Sequence, residues 1–224
     1  MMKALKSLPQ LITLNIDFGI NKYSTFSRQE IESFKIKTKL KSVKDLTIWI
    51  KDISVLELIS KCFIDIMSLK IIIKDFYMYK ERKSSLNSKL ENYLFGLSAF
   101  NQVQFLALNV LPTQVSAIWK MFPNLKEFTC ETIELSKKDV MNFGLSTSLE
   151  KLSLRYCRPL ELLLKFPNLK LLMVHRYYYD EFTTKIQPYL PANCKISKVI
   201  ELGIERTSAH NVTESFHGFG KWCW

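Results

Sequence analysis

The sequence predicts an α/β fold in which short parallel strands recur along the chain and are joined by helical return segments. Three observations predict it. The pentapeptide Phe-Pro-Asn-Leu-Lys occurs at 122–126 and again at 166–170, with further apolar residues at matching offsets behind each copy. A wider frame of apolar residues, at relative places 1, 4, 7 and 9, recurs along most of the 224 residues. Between the frames lie segments whose apolar residues return at helical spacing.

Taken in order, the frame reads Leu8, Leu11, Leu14, Ile16, and then Leu40, Val43, Leu46, Ile48. A weaker unit runs Ile66, Leu69, Ile72, with Lys74 in the last apolar place and Ile71 and Ile73 blurring the register. Next come Phe100, Val103, Leu106, Leu108, and Phe122, Leu125, Phe128, Cys130. Ser146 leads Leu149, Leu152 and Leu154, and the series closes with Phe166, Leu169, Leu172, Val174. A final strand is expected within 195–205, through Ile200, Leu202 and Ile204. The last two apolar residues of each frame are separated by one residue, so on a strand they share a face and point into a core. The leading residues fill the turn before the strand.

The return segments carry helix signals. Ser27-Arg28-Gln29-Glu30 has capping-box spacing ahead of Ile31 and Phe34. Residues 54–63 place Val55, Leu58, Ile59 and Cys62 on one helical face. Similar helices are expected at 86–97, 112–121, 136–143, 159–165 and 180–189, several opening on Ser, Pro or Asp.

The third apolar residue of each unit stands at 14, 46, 72, 106, 128, 152 and 172, giving intervals of 32, 26, 34, 22, 24 and 20 residues. This spacing resembles that of leucine-rich-repeat proteins, whose units run about 20–29 residues. The resemblance covers 5–180. It implies a right-handed solenoid with a curved parallel sheet on the concave side and helices on the convex side, in about seven irregular repeats. The expected organisation is a single domain over 1–205 and an aromatic tail over 206–224, loose or folded back as a cap through Phe216, Phe219, Trp222 and Trp224.

In that family a polar Asn or Cys stands three residues after the last strand leucine and ties successive turns together. The equivalents here are Gly19, Lys51, Leu111, Ile133, Cys157 and Tyr177, of which only Cys157 fits, so the solenoid should be irregular. Loose repeats of this kind are similar to the substrate-binding half of F-box leucine-rich-repeat proteins, the receptor subunits of ubiquitin ligases. That likeness implies a substrate adaptor, joined to the Skp1-cullin machinery if a longer form carries an F-box. No F-box-like helical segment precedes Leu8. A first repeat so near the start leaves no room for a cap, so a fragment, a shortened relative or an edge covered by another subunit is expected.

The strand register predicts which side chains face a protein partner on the concave surface. They are Asn15 and Asp17, Thr47 and Trp49, Phe105 and Asn109, Glu127 and Glu131, Lys151 and Arg155, and His175 with Tyr177. Trp49, Phe105 and Arg155 are the residue types that most often anchor interfaces. Packing against a neighbouring loop is an equal alternative for the two aromatics. Cross-strand ion pairing is the plainer reading of Glu127, Glu131, Lys151 and Arg155.

The net charge of +11 raises a second function, a basic nucleic-acid or anionic-surface binder, centred on Lys35, Lys37, Lys39, Lys41 and Lys44. Acids among the concave residues and the lack of any nucleic-acid-binding signature argue against nucleic acid as the partner. Catalysis is not expected. The chain has three histidines, His175, His210 and His217, and no Gly-rich phosphate loop, nucleophile elbow or zinc-protease pair. Neither a cofactor nor a metal is expected. The five cysteines are scattered singly and read as reduced thiols, several in the core. With no long apolar run and no signal-like start, the chain reads as cytoplasmic or nuclear, without a membrane span.

Overall fold

A computed structural model of the chain describes residues 10–17, 41–50, 55–63, 65–73, 101–109, 116–175 and 183–199. The strands are β1 (Thr13–Asp17), β2 (Asp45–Ile50), β3 (Ser68–Ile73), β4 (Phe105–Leu108), β5 (Glu127–Cys130), β6 (Thr132–Glu134), β7 (Lys151–Leu154), β8 (Tyr156–Arg158), β9 (Leu171–His175) and β10 (Lys195–Val199). Eight of them form one parallel sheet in the order β1-β2-β3-β4-β5-β7-β9-β10, and β6 and β8 pair in parallel as a second, two-stranded sheet. Each strand of the large sheet therefore lies beside its neighbours in chain order. Parallel partners cannot be joined by a tight turn, so each connection must return the chain to the same end of the sheet. The fold class is α/β, as the sequence predicts.

Helical segments lie on these returns. They are α1 (Val55–Cys62), α2 (Ser116–Met121), α3 (Lys137–Met141) and two 3₁₀ segments, Leu160–Lys165 and Gln187–Tyr189, the second preceded by helical residues 183–186. All fall within expected helices, although 159–165 forms a 3₁₀ segment rather than an α-helix. Ser136 caps α3 in a full capping box: the Asp139 N–H donates to Ser136 Oγ (3.1 Å) and the Ser136 N–H donates to Asp139 Oδ2 (3.1 Å). The Ser136 hydroxyl, donating to Asp139 Oδ2 at 2.6 Å, and then the Ser136 N–H hold the Asp139 carboxyl below its ordinary range. The helices expected at 27–34 and 86–97 lie outside the described residues.

Register follows the frame. Leu14, Leu46, Leu69, Leu106, Phe128, Leu152, Leu172 and Ile196 form one row across the sheet. Seven members agree with the frame or extend it. The third unit corrects it: Leu69, not Ile72, occupies the marker place, so this unit reads Phe63, Ile66, Leu69, Ile71, all buried. The run Ile71-Ile72-Ile73 is apolar on both faces of the strand, so alternation alone cannot choose between registers that differ by an odd step. The marker intervals become 32, 23, 37, 22, 24, 20 and 24 residues. The last strand, Lys195–Val199, falls within the expected 195–205 and pairs with β9, while Ile200, Leu202 and Ile204 lie outside the described residues. There Ile196 shares its face with exposed Lys198, an alternation too weak to read.

The core fills one side of the sheet. Alternate strand residues join Leu56, Ile59, Ile118, Val140, Leu162, Leu163 and Ile186 from the helical returns, with Phe63, Phe122, Phe128 and Phe166 among the largest fully buried side chains. Trp119 meets Phe128 and Phe143 edge-on at centroid separations of 5.5 and 4.9 Å and tilts over Phe166 at 5.3 Å. Such ring contacts add to simple burial. Cys62, Cys130, Cys157 and Cys194 are free, buried thiols.

The repeated pentapeptide has a structural purpose in both copies. The Leu125 N–H donates to Phe122 O and the Leu169 N–H to Phe166 O, each at 3.1 Å, closing a turn with Pro second and Asn third. Each asparagine then reaches the turn of the preceding unit: Asn124 Nδ2 donates to Asn101 O (2.8 Å) and Asn168 Nδ2 to Thr147 O (2.7 Å). At the entrance to the strands, the carbonyls of Ile12, Lys44, Met67, Gln104, Lys126 and Glu150 each accept two N–H bonds from the next unit. Asn124→Ala and Asn168→Ala are each expected to lower stability by about 1 kcal/mol, and both together by about 2 kcal/mol, because the sites share no partner. Urea midpoints of the three variants check this.

Ile133 in β6 and Cys157 in β8 are both fully buried. No side-chain ladder is needed there, because backbone pairing continues beyond β5 and β7. The Arg155 N–H donates to Glu131 O (2.7 Å), β6 pairs with β8, and the Leu135 N–H donates to Arg158 O (2.9 Å). Cys157 Sγ approaches Pro159 O at 3.8 Å. Backbone groups thus satisfy one another beyond the ends of β5 and β7.

Candidate functional site

The side of the sheet opposite the core is crossed by rows of side chains, most of them at least partly exposed. The first runs Thr13, Asp45, Ser68, Phe105, Glu127, Lys151, Leu171, Lys195, and the second Asn15, Thr47, Lys70, Ala107, Thr129, Ser153, Met173, Ser197. In the third, Asp17, Trp49 and Ile72 are in register, and His175 pairs with Val199 at the far end. The placement follows from the period of two along each strand, which sends these side chains away from the core.

Within the described residues, Asn15, Asp17, Thr47, Trp49, Phe105, Glu127, Glu131, Lys151 and Arg155 all keep some exposure. Phe105, at 38% exposed, stands between Ser68 and Glu127 in its row. Trp49, half-buried, lies beside Ile72. Glu127 and Lys151 are joined across adjacent strands by a 2.9 Å ion pair, both about one-third exposed. This is the cross-strand pairing that was the plainer reading, and at such exposure it contributes under about 1 kcal/mol.

Two expected contact residues are used otherwise. Asn109 bridges back to the end of β3: its Nδ2 donates to Ile73 O (2.9 Å) and its Oδ1 accepts the Ile73 N–H (2.8 Å). It satisfies both backbone groups of one residue, so its amide is committed to the fold. His175 is only 3% exposed, because both Val174 and His175 are buried at the end of β9 and the alternation breaks there. Ser153, in register with Met173 on the middle row, is buried too. Tyr177 lies outside the described residues.

Sequence reasoning missed six positions. The register slip in the third unit hid Ser68, Lys70 and Ile72, and the expectation of a last strand through Ile200, Leu202 and Ile204 left out Lys195, Ser197 and Val199. Phe63 and Ile66, buried ahead of β3, were the signal that could have corrected the first of these. Burial lowers the Lys70 amine below its ordinary range by desolvating the charge. Lys70 has no ion pair with any described residue, whereas Lys44, Lys151 and Lys170 pair with Asp65 (3.5 Å), Glu127 and Glu150 (both 2.9 Å). The hydrogen bond from Lys170 holds the Glu150 carboxyl below its usual range.

Of the basic cluster, Lys35, Lys37 and Lys39 lie outside the described residues, Lys41 is exposed, and Lys44 is engaged with Asp65. Among the described residues, no group of three or more His, Cys, Asp or Glu side chains could hold a metal ion, and no helix is long and apolar enough to cross a membrane. The surface therefore offers shape, two aromatics and scattered charge to a ligand. Compared with known proteins, the chain matches no protein-family model and no curated protein.

Proposed function

We propose that the chain is an irregular, right-handed leucine-rich-repeat solenoid acting as a protein-interaction module, with the open face of its sheet as the concave binding surface. The observation that carries this reading is the exposure of Phe105 and Trp49 on a sheet face whose core lies on the other side. Aromatics placed there have no packing role in the core and are the usual anchors of interfaces. Chain-order strand pairing and the repeated asparagine-tied turn support the solenoid form. At about 4.8 Å between strands, eight strands span about 34 Å, the length of an extended segment of about ten residues.

The test is affinity capture from cells with the wild type and with the Trp49→Ala/Phe105→Ala variant, circular dichroism confirming that both are folded. Specific partners recovered by the wild type should be lost with the variant. Equal recovery by both would overturn the reading. The narrower proposal, that the chain is the substrate-recognition part of an F-box-type ubiquitin-ligase receptor, predicts that Skp1 and cullin are recovered with a form that carries an F-box. Their consistent absence would leave a general scaffold. A polyanion fits this face less well, because Asp17, Asp45, Glu127 and Glu131 stand among Lys70, Lys151, Arg155 and Lys195.

A further inference from the structure

We propose that the open face takes an extended segment of a partner polypeptide that presents one carboxylate to Lys70, with apolar side chains on either side of it seated on Trp49 and Phe105. This rests on the interaction-module reading and adds the chemistry of the partner. Trp49 on β2, Lys70 on β3 and Phe105 on β4 lie on a diagonal of the sheet: in register, Thr47 faces Lys70 and Ala107 faces Lys70 from the other side. Each diagonal step moves one strand over and two residues along, a separation that aromatic and long side chains can bridge. The two in-register neighbours, Thr47 and Ala107, are small, so the lysine is not covered from above its own row.

The charge of Lys70 is half-withdrawn from water, and it forms no ion pair with a described carboxylate. Asp45, one strand over and diagonal to it, instead accepts a 3.4 Å hydrogen bond from Thr13 Oγ1. A partly desolvated cation gains more from a carboxylate than a fully hydrated one, since the cost of removing its water has already been met in part. The flanking aromatics bring apolar area but no charge. A single acidic residue between apolar residues matches that sequence of surfaces. A phosphate backbone does not, because its repeating charges would lie against Asp17, Asp45, Glu127 and Glu131 on the same face.

The experiment sorts a displayed library of random ten-residue peptides on the intact chain, in parallel with Lys70→Gln, Lys70→Arg and Trp49→Ala/Phe105→Ala. Selected wild-type binders should be enriched in Asp or Glu between apolar residues. Their affinity should fall about tenfold with Lys70→Gln, or with Asn or Gln replacing the peptide's acid, and be largely kept with Lys70→Arg. Peptides that need Trp49 and Phe105 but show no acidic enrichment and ignore Lys70→Gln would overturn this inference and leave the module reading standing. Peptides indifferent to the aromatic variant, or no binders at all, would overturn both. A single-stranded or duplex oligonucleotide that binds in a Lys70-dependent way would overturn it in favour of a polyanion.

Discussion

Phe166→Ala is expected to destabilise the chain by about 3–5 kcal/mol, the range for truncating a fully buried aromatic. Phe166 is fully enclosed and touches Trp119 and Phe143, with centroid separations of 5.3 and 5.9 Å. These rings come from three successive parts of the chain: α2, the segment after α3, and the turn before β9. A cavity at Phe166 would therefore remove contacts that hold neighbouring units together, and planar rings cannot easily collapse into the space. Since domains of this size are stable by about 5–15 kcal/mol, the variant should be marginally folded or unfolded at ambient temperature. Phe166→Leu keeps most of the volume and should cost far less. Urea unfolding followed by tryptophan fluorescence checks both, and a loss below about 1 kcal/mol for the alanine variant would show that the cluster relaxes around the gap.

Raising the pH should destabilise the chain through its buried thiols. Burial pushes the Cys157 thiol up to about 12 from an ordinary value of 9.0, with the nearby Glu161 charge adding to the effect. Burial also raises Cys130 well above 9.0, helped by Cys157 and Glu131. In the unfolded chain these thiols lose their protons near pH 9, while in the folded chain they keep them. Unfolding then releases protons, so stability is fully present below about pH 9 and is lost as the pH climbs through the folded value near 12. Cys157 alone contributes about 2 kcal/mol of this loss by about pH 10.5, and about 4 kcal/mol across the whole window. Cys130 acts in the same direction. Comparing the wild type with Cys130→Ala/Cys157→Ala at about pH 8 and about pH 10.5 separates the thiols from lysines and tyrosines that titrate in the same range. A wild-type slope no steeper than the variant's would show that neither thiol is held protonated. The same burial predicts that both react slowly with thiol reagents until the chain unfolds.

Much of the fold could be read in advance because the relevant interactions are local. The frame from Phe122 to Cys130 puts Phe128 and Cys130 on one side of a strand whatever surrounds it, and both are buried. Ser136 and Asp139 form their capping box within one helical turn. The turn asparagine was visible only as a repeated letter; its bond to the preceding unit shows why it recurs. The open face was legible where the alternation was clean, at Thr47 and Trp49 or at Glu127, and misread where it was not.

The misreadings have one physical origin. In β3, three consecutive isoleucines satisfy either face, and only the burial of Phe63 and Ile66 against the rest of the core decides that Leu69 points inward and Lys70 outward. Asn109 carries the same letter as a binding residue would, yet its partner, Ile73, is 36 residues away in the chain. His175 follows the outward parity and is buried all the same. Periodicity and short-range capping belong to the sequence, because each is set by a few bonds along one segment; it alone determined an α/β chain of recurring short strands with helical returns. Which register a doubly apolar strand takes, which asparagine clamps the backbone and which lysine has no ion pair among the described residues were decided only by packing eight strands side by side. Those outcomes depend on the desolvation and hydrogen bonding of groups far apart in the chain.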